Sequence, residues 1–173
     1  MARRMVPSTS NAKPLPAHSN MINLYTTGWA AAVAKDCDKA KTQISISAIS
    51  MFPPLRQSDA DFFSLWLSWK NAAARNVRVC FYLPTQQPAH PATLRNSHAG
   101  RIAWENKMHV RFVPGPRLLH AKSIVVDSES CWIGSGNMTA AAALNNHEFY
   151  VNFGSNECAA RIESYLIGIS NQE

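Results

Sequence analysis

Residues 119–137 read L-H-A-K-S-I-V-V-D-S-E-S-C-W-I-G-S-G-N, and the reading of this stretch decides the fold around it. Ala121 to Val126 ends in three β-branched residues and carries one break, Lys122, which suits a mostly buried strand. His120 and Lys122 are two apart, so their side chains leave the same face of that strand. Asp127 to Ser130 is a turn, and Cys131 to Ile133 is a second short strand, which makes a hairpin. Gly134-Ser135-Gly136-Asn137 then forms a loop whose backbone can approach an anion closely. An imidazole, an ammonium, a hydroxyl and an amide are thereby gathered at one end of a sheet. Such a set suits a phosphate diester, with a nucleophile and with donors for the non-bridging oxygens.

The spacing is H-x-K-x4-D followed by G-S-x-N. Six chosen residue types in fixed register arise by chance in roughly one chain in 10⁵ of this length. The pattern resembles the HKD signature of the phospholipase D superfamily. The match is complete over Leu119–Asn137 and reaches Glu148 in the run H-E-F-Y-V-N-F at 147–153; a looser similarity spans Asn23 to Leu166. Within the superfamily it is similar to the bacterial nuclease subgroup that carries one motif and a glutamate near this point. The resemblance implies an α-β-α sandwich and six catalytic positions: His120, Lys122, Asp127, Ser135, Asn137 and Glu148. His120 is then the nucleophile, forming a phosphohistidine. Lys122, Asn137 and Ser135 hold the non-bridging oxygens. Glu148 accepts from the ring nitrogen of His120 that does not attack. Asp127 either transfers a proton or holds the site together.

The family pairs two such histidines, and this chain has one motif. A C2 homodimer with both motifs on its axis supplies the second. His18, His90, His98, His109 and His147 are the in-chain rivals; His147 neighbours Glu148 in a strand and so faces the other way.

Outward from the motif, the chain reads as alternating strands and helices. Strands are predicted at Ile22–Tyr25, Gln43–Met51, Val77–Leu83, Met108–Val113 and Glu148–Phe153. Helices are predicted over Gly28–Ala40, from a Ser58 cap with Asp59 and Asp61 to Arg75, over Ala92–Asn106, over Met138–Leu144 and over Asn156–Ile167. The fold class is α/β: a mixed, largely parallel sheet flanked by helices on both faces. Phe62, Leu65, Trp66 and Trp69 recur at helical spacing and read as core or subunit interface rather than ligand surface. Cys158, Ile162, Tyr165 and Leu166 read as the apolar side of the last helix.

The 173 residues, 46% hydrophobic and 16% charged, suit one domain with a real core. Residues 1–20, rich in Pro, Ser, Asn and Ala, read as a flexible tail, and 21–173 as a single catalytic domain. Pro14 to Ala34 is uncharged but holds two prolines, a histidine and two asparagines, so it is a poor export signal or membrane span. The chain is therefore placed in the cytoplasm, with export left open, and without stable membrane insertion. Cys37, Cys80, Cys131 and Cys158 have no C-x-x-C spacing, no metal-ligand pattern appears, and no cofactor is implied.

A net charge of +6 and a pI near 9.4 favour a polyanionic partner. Arg95, Arg101, Lys107, Arg111 and Arg117 face one acid, Glu105, in the segment leading to His120. Arg111, Arg117 and Gly134 are the expected substrate contacts. The function expected is a metal-independent phosphodiesterase, an endonuclease acting on DNA, RNA or both. The alternative is a phospholipase or phosphatidyl transferase on anionic lipid; a binding module with a dead site ranks third.

Overall fold

The computed structural model describes residues 22–54, 60–85, 91–115 and 117–171. The expected tail at 1–20, the Ser58 cap with Asp59, and residues 86–90 of the proline-rich loop lie outside these. Twelve elements follow in order: β1 (Ile22–Tyr25), α1 (Trp29–Cys37), β2 (Gln43–Ser47), α2 (Ala60–Ala74), β3 (Arg78–Pro84) and α3 (Pro91–Glu105). Then come β4 (His109–Val113), β5 (Ser123–Val126), β6 (Ser130–Gly134), α4 (Ala140–Leu144), β7 (Tyr150–Phe153) and α5 (Asn156–Ser170).

The strands form one 7-stranded sheet in the order β1-β7-β6-β5-β2-β3-β4. β2, β3 and β4 pair in parallel, while the pairs β2–β5, β5–β6, β6–β7 and β7–β1 are antiparallel. Five of the seven strands thus share one direction, and β5 and β7 oppose it. The mixed α/β class holds, with direct parallel contacts confined to the β2-β3-β4 side.

The alternation in β2 sorts the two faces. Ile44 and Ile46 enter the main core beneath α1, α2, α3 and α4, with Trp29, Val33, Phe62, Trp69, Phe81 and Tyr150. The stripe of α2 is core, as expected: Trp69 meets Phe81 edge-on at 5.3 Å. Ser45 and Ser47 face the other way. Ser47 Oγ bonds Ser123 Oγ at 2.8 Å, and Ser45 Oγ donates to Glu163 of α5 at 3.2 Å. On this second face α5 packs on β4, β5 and β6. It starts at a Ser155 cap that accepts from Cys158 N, and it buries Ala159 and Leu166. One helix thus covers a face where four cover the other.

Several boundaries differ from the sequence reading: α5 runs on to Ser170, α4 starts at Ala140 and β7 at Tyr150. α1 stops at Cys37, not Ala40, because the Asp38 and Ala40 amides close the helix end on Ala34 and Cys37 carbonyls. β2 ends at Ser47; beyond it Met51 makes an isolated bridge with Met138. β5 starts at Ser123, leaving His120 and Lys122 just outside the strand.

Candidate active site

Strand direction gathers the site. β5 and β7 oppose β2, β3, β4 and β6. The start of β5, the end of β6 and the start of β7 therefore meet at the edge where β2 and β3 end. His120 and Lys122 precede β5, Ser135 and Asn137 follow β6, and Glu148 precedes β7. Binding groups outside the carboxyl ends of strands are the usual outcome in open α/β sheets.

Lys122 is 8% exposed, and its Nζ lies 3.1 Å from Nδ1 and 3.4 Å from Nε2 of the exposed His120 ring. Burial holds the lysine pKa below its ordinary value, and the nearby Glu148 charge pulls it back upward. Glu148 accepts from Ser135 Oγ on one oxygen and from Asn146 Nδ2 at 3.1 Å on the other. Ser135 Oγ also accepts from Phe149 N at 3.2 Å. Glu148 thus bonds Ser135 and Asn146, while the ring of His120 has Lys122 as its neighbour. Asn137 Oδ1 accepts from Ser50 N at 3.3 Å, which leaves its NH₂ as the group it can offer a ligand.

Asp127 is not brought to His120. It follows β5 at the opposite sheet edge, with about 13 Å of strand between at ~3.3 Å per residue. Its carboxylate accepts from the amides of Lys41, Thr42 and Gln43 and from the Thr42 hydroxyl, at 2.8–3.0 Å. Burial alone would raise this carboxyl, but those donors outweigh it and hold it below the usual carboxylate range. Asp127 therefore clamps the entry to β2, the structural member of the pair of roles the sequence left open.

The expected substrate contacts divide as well. Arg111 donates to Ser170 Oγ at 3.3 Å and Asn171 Oδ1 at 3.1 Å, tying β4 to the end of α5. Arg117 is exposed on the loop that runs into His120. Gly134 is needed for packing: a Cβ there would meet the Phe149 carbonyl and would stand 2.6 Å from the Tyr150 ring. Tyr150 in turn donates from its hydroxyl to Gly136 O at 2.5 Å, bracing the loop that carries Ser135 and Asn137.

The sequence missed several supports. Asn96 of α3 is fully buried; its Oδ1 accepts from Met51 N at 3.1 Å, and its Nδ2 donates to Ile49 O at 2.9 Å and Pro84 O at 3.4 Å. Met138 N bonds Ser50 O, and Phe52 N bonds Met138 O, so Asn96 steadies the loop beside Asn137. A lone asparagine in a helix gives no periodic signal of such a role. A cavity of about 430 Å³ adjoins His120, Lys122 and Ser135; Ile133, Ile162, Tyr165 and Leu166 also line it. Among the described residues no group of three or more His, Cys, Asp or Glu is placed to hold a metal ion. None of the described helices is long and apolar enough to cross a membrane.

No curated protein matches the chain in sequence. Solved structures do match in fold. Nuc from Salmonella typhimurium, a phospholipase D family member, has 24% identity and a TM-score of 0.68, over 89% of this chain and 95% of its own. NucT from Helicobacter pylori has 15% identity and a TM-score of 0.66, over 87% and 95%. A phosphatidylserine synthase from Haemophilus influenzae Rd KW20 has 14% identity and a TM-score of 0.63, over 86% of this chain and 38% of its own. The family model described as cardiolipin synthase, PLD-like domain, matches residues 33–169. With most of its length inside that model and its sheet in the matching architecture, the chain belongs to the phospholipase D superfamily, whose members are phosphodiesterases.

Proposed function

We propose that this protein is an endonuclease that hydrolyses DNA, RNA or both without a metal, through a phosphohistidine and as a homodimer. The observation that carries the reading is the His120–Lys122 pair at 3.1 Å, with Ser135, Asn137 and Glu148 on the same sheet edge. A ring nitrogen of His120 attacks phosphorus, the P–O bond to the leaving oxygen breaks, and that oxygen takes a proton from the His120 of a second copy. Water then attacks phosphorus, giving its proton to that second histidine, and the P–N bond breaks. Lys122 and the Asn137 amide neutralise the non-bridging oxygens as their charge grows. Glu148 positions Ser135 and keeps a negative charge close to the buried ammonium of Lys122.

Three further observations support this reading. The net charge of +6 suits a polyanion. The matched region covers 95% of both Nuc and NucT, the two nuclease-named structures it resembles in fold. Neither His98, His109 nor His147 lines the cavity beside His120, which favours a second copy as the source of the acid.

A second reading is phosphatidyl hydrolysis or transfer. It is favoured by the apolar walls of the cavity and by the cardiolipin synthase description of the family model. The test is purified protein against DNA, RNA and phosphatidylglycerol vesicles, each with and without excess EDTA. Nucleic-acid cleavage that survives EDTA is expected. Loss in chelator with recovery on Mg²⁺ would overturn the mechanism, and vesicle hydrolysis alone would overturn the substrate.

A further inference from the structure

α5 is pinned to the sheet from within. Glu163, 7% exposed, accepts from Ser45 Oγ at 3.2 Å, Gln43 Nε2 at 3.0 Å and Ser128 Oγ at 2.5 Å. Two residues further along, Tyr165 turns outward and is 55% exposed. Ile162 and Leu166, one turn apart, line the cavity beside His120, and Ile133 of β6, 39% exposed, lines it too. A large, half-exposed aromatic side chain thus lines the cavity from a helix that Glu163 ties to the sheet. Exposed apolar surface beside a reactive group is a common mark of a binding site.

The cavity has two kinds of lining. His120, Lys122 and Ser135 are its polar side chains, beside which the phosphate must sit if His120 is to attack it. Tyr165, Ile133, Ile162 and Leu166 supply large apolar and aromatic surface. In a nucleic-acid strand the group that follows a phosphate and its sugar is a flat heteroaromatic base. Its volume is within reach of a cavity of about 430 Å³. A base in duplex is already stacked and paired, and taking it out of the stack has a cost.

The geometry points to a base subsite: the nucleobase next to the scissile phosphate enters this cavity and stacks on Tyr165, so the enzyme selects single-stranded or locally unpaired nucleic acid. This rests on the nuclease reading and deepens it. A lipid tail could use the same apolar walls, but it has no flat face for Tyr165, and the positive charge of the chain favours the polyanion.

The experiment uses the full chain and short single-stranded oligonucleotides with one cleavable diester, the others blocked as methylphosphonates. In one the neighbouring nucleotide bears its base; in the other it is abasic. Base–aromatic stacking predicts that wild type prefers the base-bearing strand by about 5- to 150-fold in kcat/KM. Tyr165→Ala should collapse that ratio toward one, and Tyr165→Phe and Tyr165→Trp should keep it. An unchanged ratio in Tyr165→Ala overturns the subsite. So does an equal loss on both strands together with dissociation on sedimentation, which would make Tyr165 a dimer contact. Phosphatidylglycerol vesicles are the third arm. If they are hydrolysed and neither strand is, the nuclease reading falls. If strands are cleaved without regard to the base, only the subsite falls.

Discussion

At the scale of single residues, two carboxylates that look alike in sequence do different work. Asp127 sits in a left-handed turn, with φ of 53° there and 56° at Ser128, and collects four donors from residues 41–43. Its folded pKa is depressed, so its stabilisation is present above the unfolded carboxylate value and is lost as pH falls through the folded value. Asp127→Asn keeps a residue that tolerates the left-handed turn and removes the charge. It should cost roughly 1–3 kcal/mol near neutral pH. The gap from wild type should close as pH drops below about 4, in urea unfolding measured across pH. Glu148 acts instead on Lys122. Burial depresses the lysine and Glu148 opposes that. Glu148→Gln should therefore move the alkaline limb of the pH–kcat/KM profile to lower pH. A limb that stays in place would mean that Lys122 does not govern it.

At the scale of elements, the site depends on loops that four strands and one helix hold in register. Asn96 is the clearest case, because three of its bonds reach the segments after β2 and β3. Asn96→Ala removes every one of these partners in a buried place. The expected loss is about 2–4 kcal/mol of stability, by urea or thermal unfolding. Its kcat should fall more than its KM rises, since the loop it steadies carries Ser50, the partner of Asn137. The two arginines of the basic segment also separate at this scale. Arg111 is bonded to the end of α5, and Arg117 is exposed beside the motif. Arg117→Ala should lower the slope of log affinity against log salt on duplex DNA by up to ~0.9, whereas Arg111→Ala should show mainly as lost stability. The reverse pattern would make Arg111, not Arg117, the phosphate contact.

For the whole molecule, the question is whether one chain can complete the reaction. If an exposed His120 attacks phosphorus, as proposed, the leaving oxygen still needs a proton. If the second copy supplies it, His120→Ala abolishes cleavage, and a mixed dimer of wild type with His120→Ala loses most activity instead of half. General acid catalysis is typically worth about 10²–10⁴-fold, which sets the scale of that loss. Tagged, purified mixed dimers kept from exchanging subunits give the measurement. Half the wild-type rate, or a fully active monomer on sedimentation, would assign the acid to this chain itself.

All twelve elements and the residues of the candidate site could be read from the chain, because they depend on local spacing. Alternation in Q-I-S-I-S marks a two-faced strand, Phe62, Leu65 and Trp69 mark a helix face, and H-x-K before a hairpin places two side chains together. Only the tertiary structure decided three other things. It put β5 and β7 against the direction of the rest, which is what brings Glu148 to the edge that carries His120. It carried Asp127 to donors 84 to 86 residues away and so made it a clamp. It left Tyr165, which the helical period assigns to the buried side, exposed in the same cavity as His120 and Lys122. Periodicity reports which face of an element is apolar. How much of that face is covered, and by which distant segment, depends on the packing of the whole chain; among the described residues α5 packs on β4, β5 and β6 on one face, while four helices share the main core on the other.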